Sequence, residues 1–297
     1  MVKKLLKWSA GLLGLLVLAV GCLIALAWWR SNSALDQHYP PVQAQVDWAG
    51  GDLQRGEYLV RTRGCADCHG QDLSGGVVID APPFGQLVAS NLTPVGVGDD
   101  YYQKHLVNVL RGGLDRNGQS LIFMPSHDYM TMTDAEVADM AAYLSTIPAA
   151  ENPALPPMNV GPLPRVLWLF GAFPLVSREH MDLSLEPAQS IVVEASADYG
   201  AHVVSMCKGC HGGQLAGLTS PVAPDTPNPA NLTPTGSMAN WSEQDFFTAM
   251  REGRRPDGSQ INEFMPWKTV SQMSDVEIRA IWLYLRTLPP RAQGENG

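Results

Sequence analysis

Charge is scarce in this chain. Only 16% of its 297 residues are charged, and cations are the minority, 20 Lys and Arg against 29 Asp and Glu, for a formal net charge of −9. That balance excludes a nucleic-acid phosphate backbone as the main partner. No run alternates with period two strongly enough to propose a sheet. With 45% hydrophobic residues, 23 Pro and 28 Gly, the composition fits neither a disordered acidic tail nor a collagen-like repeat. At about 150 residues per domain, the length suggests about two folded units.

The scarcity of charge is sharpest near the start. No charged residue occurs from Trp8 to Trp29, and at about 1.5 Å per residue this run can cross the roughly 30 Å hydrocarbon core of a bilayer. Lys3, Lys4 and Lys7 precede it, and Trp28 and Trp29 close it. Positive flanking charge and an aromatic edge predict a single-pass anchor in a bacterial cytoplasmic membrane, with residues 1–30 as tip and anchor. The amino terminus is then cytoplasmic and everything after Arg30 periplasmic. A cleaved signal peptide has a shorter apolar region ending in small residues. Cys22 is expected to be a membrane-buried thiol, because the apolar run continues through Leu23, Ile24, Ala25 and Leu26.

The rest of the chain is one pattern written twice, about 140 residues apart. Cys65-Ala66-Asp67-Cys68-His69 is matched by Cys207-Lys208-Gly209-Cys210-His211, and Asn91-Leu92-Thr93-Pro94 by Asn231-Leu232-Thr233-Pro234. Arg111 and Gly118 recur as Arg251 and Gly258, Phe123-Met124-Pro125 as Phe264-Met265-Pro266, and Tyr143-Leu144 as Tyr284-Leu285. The expected division is a linker at 31–50, a first domain at 51–149, a proline-rich linker at 150–195, a second domain at 196–291 and a tail at 292–297. Each domain reads as helical. Thr133 with Glu136, and Ser274 with Glu277, have capping-box spacing. Each box opens an apolar stripe, Val137, Met140, Ala141 and Leu144 or Ile278, Ile281, Trp282 and Leu285. Middle helices are predicted from about Asp100 to Arg111 and from about Ser242 to Glu252. The linker holds an apolar stretch from Val166 to Val176, too short to span a bilayer. Its Trp168, Leu169, Phe170 and Phe173 predict a contact surface, against the chain's own domains, a partner or the bilayer.

CxxCH is the attachment signature of c-type haem, in which two thiols bond the porphyrin edge and the adjacent imidazole reaches the iron. Two such motifs predict two covalently bound haem c groups, on Cys65 and Cys68 and on Cys207 and Cys210, with His69 and His211 as metal ligands. A single zinc site would need the two pairs close together, and a thioredoxin-like pair would sit in a βαβ pattern that is missing. The opposite ligands are expected to be Met124 and Met265, which hold matching places in identical Phe-Met-Pro triplets. Met130, Met132 and Met273 are the spares. His127 is the imidazole rival, but Lys268 stands at its counterpart. Arg111, Arg251, Asn91 and Asn231 are repeated polar residues suited either to haem propionates or, for the two Arg, to capping helix C-termini.

These residues resemble class I cytochromes c in tandem, and more narrowly the membrane-bound cytochrome c subunits of bacterial alcohol, gluconate and aldehyde dehydrogenases. The likeness rests on Gly56-Glu57-Tyr58-Leu59-Val60 before the first CxxCH, the Asn-Leu-Thr-Pro segments, Arg-Gly-Gly followed by Asp115-Arg116-Asn117-Gly118, the Met-Pro pairs and the closing Tyr-Leu helices. The resemblance implies an all-α fold of two class I cytochrome c domains and an electron relay, not an enzyme. Those subunits commonly carry three haems and a carboxyl-terminal anchor. Two haems and an amino-terminal anchor also resemble the dihaem subunit of cbb3-type oxidases. Gly200 stands closer to Cys207 than Gly56 does to Cys65, so the first-helix packing is expected to differ between the domains.

The expected function is transfer of single electrons on the periplasmic face. The donor would be a dehydrogenase or quinol-oxidising complex, and the acceptor a soluble cytochrome or terminal oxidase. His and Met ligation favours the ferrous state and a high potential. Rival enzymes are a dihaem peroxidase, which needs an open iron position, and a thiosulfate-oxidising dihaem cytochrome, which would need a further exported Cys. Asp67 in the first motif against Lys208 in the second predicts the higher potential for the second haem.

Overall fold

A computed structural model describes residues 2–220 and 226–295; the final two residues of the expected tail and residues 221–225 of the second expected domain lie outside them. Helix α1 (Val2–Leu35) is the one described helix long and apolar enough to cross a membrane, with a mean hydropathy of 2.7 over an 18-residue window within Leu6–Leu35. Its side chains stand mostly exposed until Ala27 and Ser31, both fully buried, mark where the rest of the protein begins to pack.

Two helical units follow. The first is built from α2 (Leu53–Thr62), α3 (Cys65–His69), the single turn α4 (Pro94–Val97), α5 (Tyr101–Gly112) and α6 (Asp134–Leu144). After α7 (Pro162–Leu169) in the connecting segment, the second uses α8 (Ala197–Val203), α9 (Lys208–His211), α10 (Glu243–Glu252), the single turn α11 (Trp267–Val270) and α12 (Asp275–Thr287). Each has its own core. Leu59, Val60, Leu106, Leu110, Val137, Met140 and Leu144 gather in the first, and Tyr199, Val203, Phe246, Ile278, Ile281 and Leu285 in the second. Both expected apolar stripes are buried, as their helical spacing requires.

In each unit the first helix crosses the last at a glycine. A Cβ on Gly56 would lie 1.9 Å from the Asp139 carbonyl oxygen, and one on Gly200 would lie 2.0 Å from that of Ala280. The crossings are therefore equivalent, contrary to the expectation from the shorter spacing before Cys207. The missing length is absorbed afterwards. The first unit turns through Gly64, at φ 79°, into Cys65, whereas the second runs through a 3-10 turn, Val204–Cys207, straight into α9.

Two features depart from the sequence expectations, and one decides between alternatives they left open. A small antiparallel sheet joins β1 (Gly76–Ala81), β2 (Gly85–Ala89) and β3 (Asn159–Val160). Val77, Val78 and Ile79 favour extended backbone, but Val77 and Val78 stay exposed, at 46% and 38%. Only Leu87 of β2 and Val160 of β3 are buried, too few positions to write a readable alternation. Second, the connecting segment is folded onto the first unit. Leu175 and Val176 are fully buried beside Leu87 and Val160, and α7 packs on the end of α1. Trp168 is half-buried and donates to Glu179 Oε2 at 2.7 Å, while Phe170 is 70% exposed. Third, only the first predicted capping box closes. Glu136 returns its carboxylate to the Thr133 amide, but Glu277 turns to other partners. A further box, Ser242 with Asp245, opens α10.

Candidate functional site

The two Cys-x-x-Cys-His turns are built alike. Each sits on a short helix that exits through a glycine in a conformation open only to that residue, Gly70 at φ 83° and Gly212 at φ 80°. Four residues after each His, a buried leucine is held at positive φ, Leu73 at 59° and Leu215 at 57°. Such backbone is costly for a side chain with a Cβ, and identical bonds hold it. Leu92 N donates to the Leu73 carbonyl at 2.8 Å, as Leu232 N does to that of Leu215 at 2.8 Å. Gly75 N and Gly217 N donate to the carbonyls of His69 and His211 at 2.8 and 2.9 Å.

This scaffold aims the imidazoles. His69 Nδ1 lies 2.8 Å from the Ser90 carbonyl oxygen and His211 Nδ1 lies 2.7 Å from that of Ala230. A carbonyl can only accept, so Nδ1 carries the proton and Nε2 keeps its lone pair for a metal. Burial pushes both imidazoles down, with the carbonyl bond opposing it, which favours the neutral ring a metal requires.

All four thiols are free, and burial pushes Cys65 and Cys207 up to about 12. Protonated thiols are poor redox nucleophiles, which weighs against use of these pairs as a redox dithiol. Met124 and Met265 are half-buried and packed against the first and second cores. Met130, Met132 and Met273 are buried to 8%, 5% and 2% exposure and serve as core filling. His127 lies beside His180, with its Nε2 3.6 Å from Asp128. A pair of thiols in one helical turn, an imidazole with Nε2 spare and a thioether left at the core edge together fit a covalently held haem.

The other expected site residues hold the scaffold. Asn91 accepts from Thr93 N and donates to the Ala150 carbonyl at 2.7 Å; Asn231 accepts from Thr233 N and donates to the Arg291 carbonyl at 2.8 Å. Arg111 donates to the Met132 carbonyl at 2.5 Å and to Asp134 Oδ1 at 2.6 Å, tying α5 to the start of α6. Arg251 repeats this with the Ser271 carbonyl and with Asp275 at 2.6 Å. Of these four side chains, Arg111 alone keeps a buried atom, Nε, without a partner.

How the units meet has no local signature in the chain. Glu277, fully buried, receives Arg63 at 2.7 Å, Tyr199 at 2.8 Å and Tyr58. Glu136, in the equivalent position, receives His202 Nε2 at 2.9 Å. Thr269, just after Met265, donates to Asp67 between the first pair of thiols at 2.7 Å. Gly209 N, between the second pair, donates to Asp128, just after Met124, at 3.1 Å. The contacts thus come in matched pairs, as across a two-fold axis. Each thiol turn touches the other unit's methionine loop.

The sequence profile of the family described as cytochrome c oxidase, cbb3-type, subunit III matches residues 51–144 and 195–285. Among similar curated proteins, the fructose dehydrogenase cytochrome subunit of Gluconobacter japonicus is 26% identical, over 81% of this chain and 53% of its own length. The alcohol dehydrogenase (quinone), cytochrome c subunit, of Gluconacetobacter polyoxogenes is 26% identical, over 80% of this chain and 56% of its own length. The diheme cytochrome c-type of Cereibacter sphaeroides is 26% identical, over 80% of this chain and 86% of its own length. The chain spans about half the length of the dehydrogenase subunits it matches. With more than half of its residues matched by one profile and a site fitted to covalent haem, the chain is an electron-carrying cytochrome c and belongs to the family described as cytochrome c oxidase, cbb3-type, subunit III.

Proposed function

We propose that this chain is a membrane-anchored dihaem cytochrome c that relays single electrons on the periplasmic face. Its two class I domains, 51–149 and 196–291, stand in tandem behind α1. The observation that carries this reading is the repeated bond from the CxxCH imidazole to a backbone carbonyl, His69 to Ser90 and His211 to Ala230. Nothing in a helical core requires that geometry twice; a metal ligand does.

In this reading Cys65 and Cys68 anchor one haem and Cys207 and Cys210 the other. His69 with Met124, and His211 with Met265, hold the irons. Bound haem supplies a one-electron ferric–ferrous couple. The chain's own part is to fix the imidazole tautomer, keep water from the ligands and set the local charge. The crossed contacts of each thiol turn with the other unit support electron exchange inside one molecule. The dehydrogenase subunits among its relatives support a dehydrogenase as donor; the acceptor in this reading is a soluble cytochrome or terminal oxidase. A second reading, a dihaem subunit of a cbb3-type oxidase, is favoured by the family description.

Haem counting tests the proposal. The pyridine haemochrome spectrum should give two haems per chain, and one after replacing either Cys65 and Cys68 or Cys207 and Cys210 with Ala. One haem in the native chain would sink it. Proteins retained after mild detergent extraction decide between dehydrogenase and oxidase partners.

A further inference from the structure

Among the described residues, one side of α7 stays partly exposed, and the height of the helix is fixed by what its other side touches. Arg165, 8% exposed, donates from Nη1 to Ser31 Oγ at 2.5 Å and to Asn32 Oδ1 at 2.7 Å, and its guanidinium lies 4.1 Å from the Trp28 ring centre. Ala27 and Ser31 of α1 are fully buried, small residues that admit a close neighbour. Ala27 belongs to the uncharged Trp8–Trp29 run. The segment around α7 therefore meets the anchor at the level where that run ends and the aromatic border of a bilayer would lie.

Its composition suits that level. Between Glu151 and Glu179 there is no acidic residue, although acids outnumber cations in the chain as a whole. Leu163, Val166, Leu167 and Leu169 are only half-buried, and Phe170 is 70% exposed. An apolar edge without acids can enter an anionic lipid surface without charge repulsion.

We infer that α7 with its exposed cap Phe170 is a second membrane contact, an interfacial helix lying in the headgroup region beside α1 and fixing how the cytochrome units stand on the bilayer. The inference rests on the reading of α1 as the anchor, and commits to lipid as the occupant because α7 continues the surface that α1 already presents to the bilayer.

The test uses the full haem-loaded chain with Cys22→Ser and Phe170→Cys, carrying a nitroxide label. It is reconstituted in phosphatidylethanolamine and phosphatidylglycerol vesicles, and power saturation is recorded in the diamagnetic ferrous state. Relative to a label at the exposed Gln244→Cys, the label at 170 should gain accessibility to oxygen and lose it to a water-soluble nickel chelate. Unchanged haem spectra would show that each variant is folded. Failure to float with vesicles would remove the anchor reading and this inference with it. Flotation with nickel access equal to that at position 244 would overturn this inference alone. A label shielded from both reagents would also overturn it, by placing Phe170 in a protein contact.

Discussion

The two units repeat one thiol–imidazole scaffold almost bond for bond, but they hold their methionines differently. In the first, the loop before Met124 is strapped by the connecting segment. Phe123 N donates to the Leu175 carbonyl at 3.1 Å, Ile122 pairs with Val176, and the Phe123 ring stacks on Phe173 at 5.1 Å with 2° between planes. In the second, Phe264 is 50% exposed and its amide is held only locally, by Asn262 Oδ1 at 2.9 Å. The part of the site that holds the imidazole is repeated in both units, whereas the methionine side is held by whatever chain lies nearby. The stretch from Phe173 to Val176 lies against the first methionine loop, whereas Ile191, farther along the connecting segment, packs on the second core, of which Phe264 is not part, so only the first loop is strapped.

The largest contrast is expected at the interface. Removing Glu277 leaves the buried Arg63 guanidinium unpaired, so Glu277→Ala should cost about 3–5 kcal/mol. Glu136→Ala should cost less, because its partner His202 is an imidazole that can stand neutral. Denaturant unfolding of the two variants checks this; equal losses would break the contrast. The pH dependence sharpens it. Burial alone would raise the Glu136 carboxyl, but hydrogen bonds and charge from His202, with the Thr133 amide, bring it to about 2, below its ordinary 4.5. Its contribution is complete above that ordinary value and disappears as pH falls toward about 2. Glu136→Gln should flatten the acid limb of the stability curve.

A smaller effect tests the strap. Phe173→Ala removes a stacked pair worth about 1 kcal/mol beyond its buried area. Titrating ferric protein with denaturant, the second unit should lose its methionine-linked absorption first in the native chain. In the variant the first unit should lose it at lower denaturant than before, while the second is unchanged. Loss of both together would deny that the strap acts on one unit.

The smallest effect concerns potential. Asp67 against Lys208 predicts a higher second haem, but Asp128 also lies on the second thiol turn. Burial pushes its carboxyl up to about 7, with the Gly209 amide opposing the rise. An ionised carboxylate stabilises the ferric charge, so the second potential should fall as pH rises through about 7. Asp128→Asn should remove that slope and leave the first haem's unchanged. A redox titration across this range decides it.

Much of this could be read in the sequence because a haem turn and an amphipathic helix are local. Cys65 to His69, its repeat, and the stripes from Val137 and Ile278 each need only nearby residues to be recognised. The hairpin escaped because only Leu87 in it is fully buried, so no face alternates. The Ser90 and Ala230 carbonyls escaped because backbone acceptors have no letter, although the Asn-Leu-Thr-Pro repeats beginning at the next residue marked a recurring turn. Glu277 had the spacing of a capping box and lost that role to Arg63, Tyr58 and Tyr199. Such long-range competition is invisible to local pattern.

The central claim is that one site is built twice, each with its own methionine. The near-infrared charge-transfer absorption of the ferric protein tests it most directly, read in Met124→Ala, Met265→Ala and the double variant. The account predicts that each single variant keeps both haems and loses its own share of the band, and that the double variant has none. A band surviving intact in the double variant would contradict it.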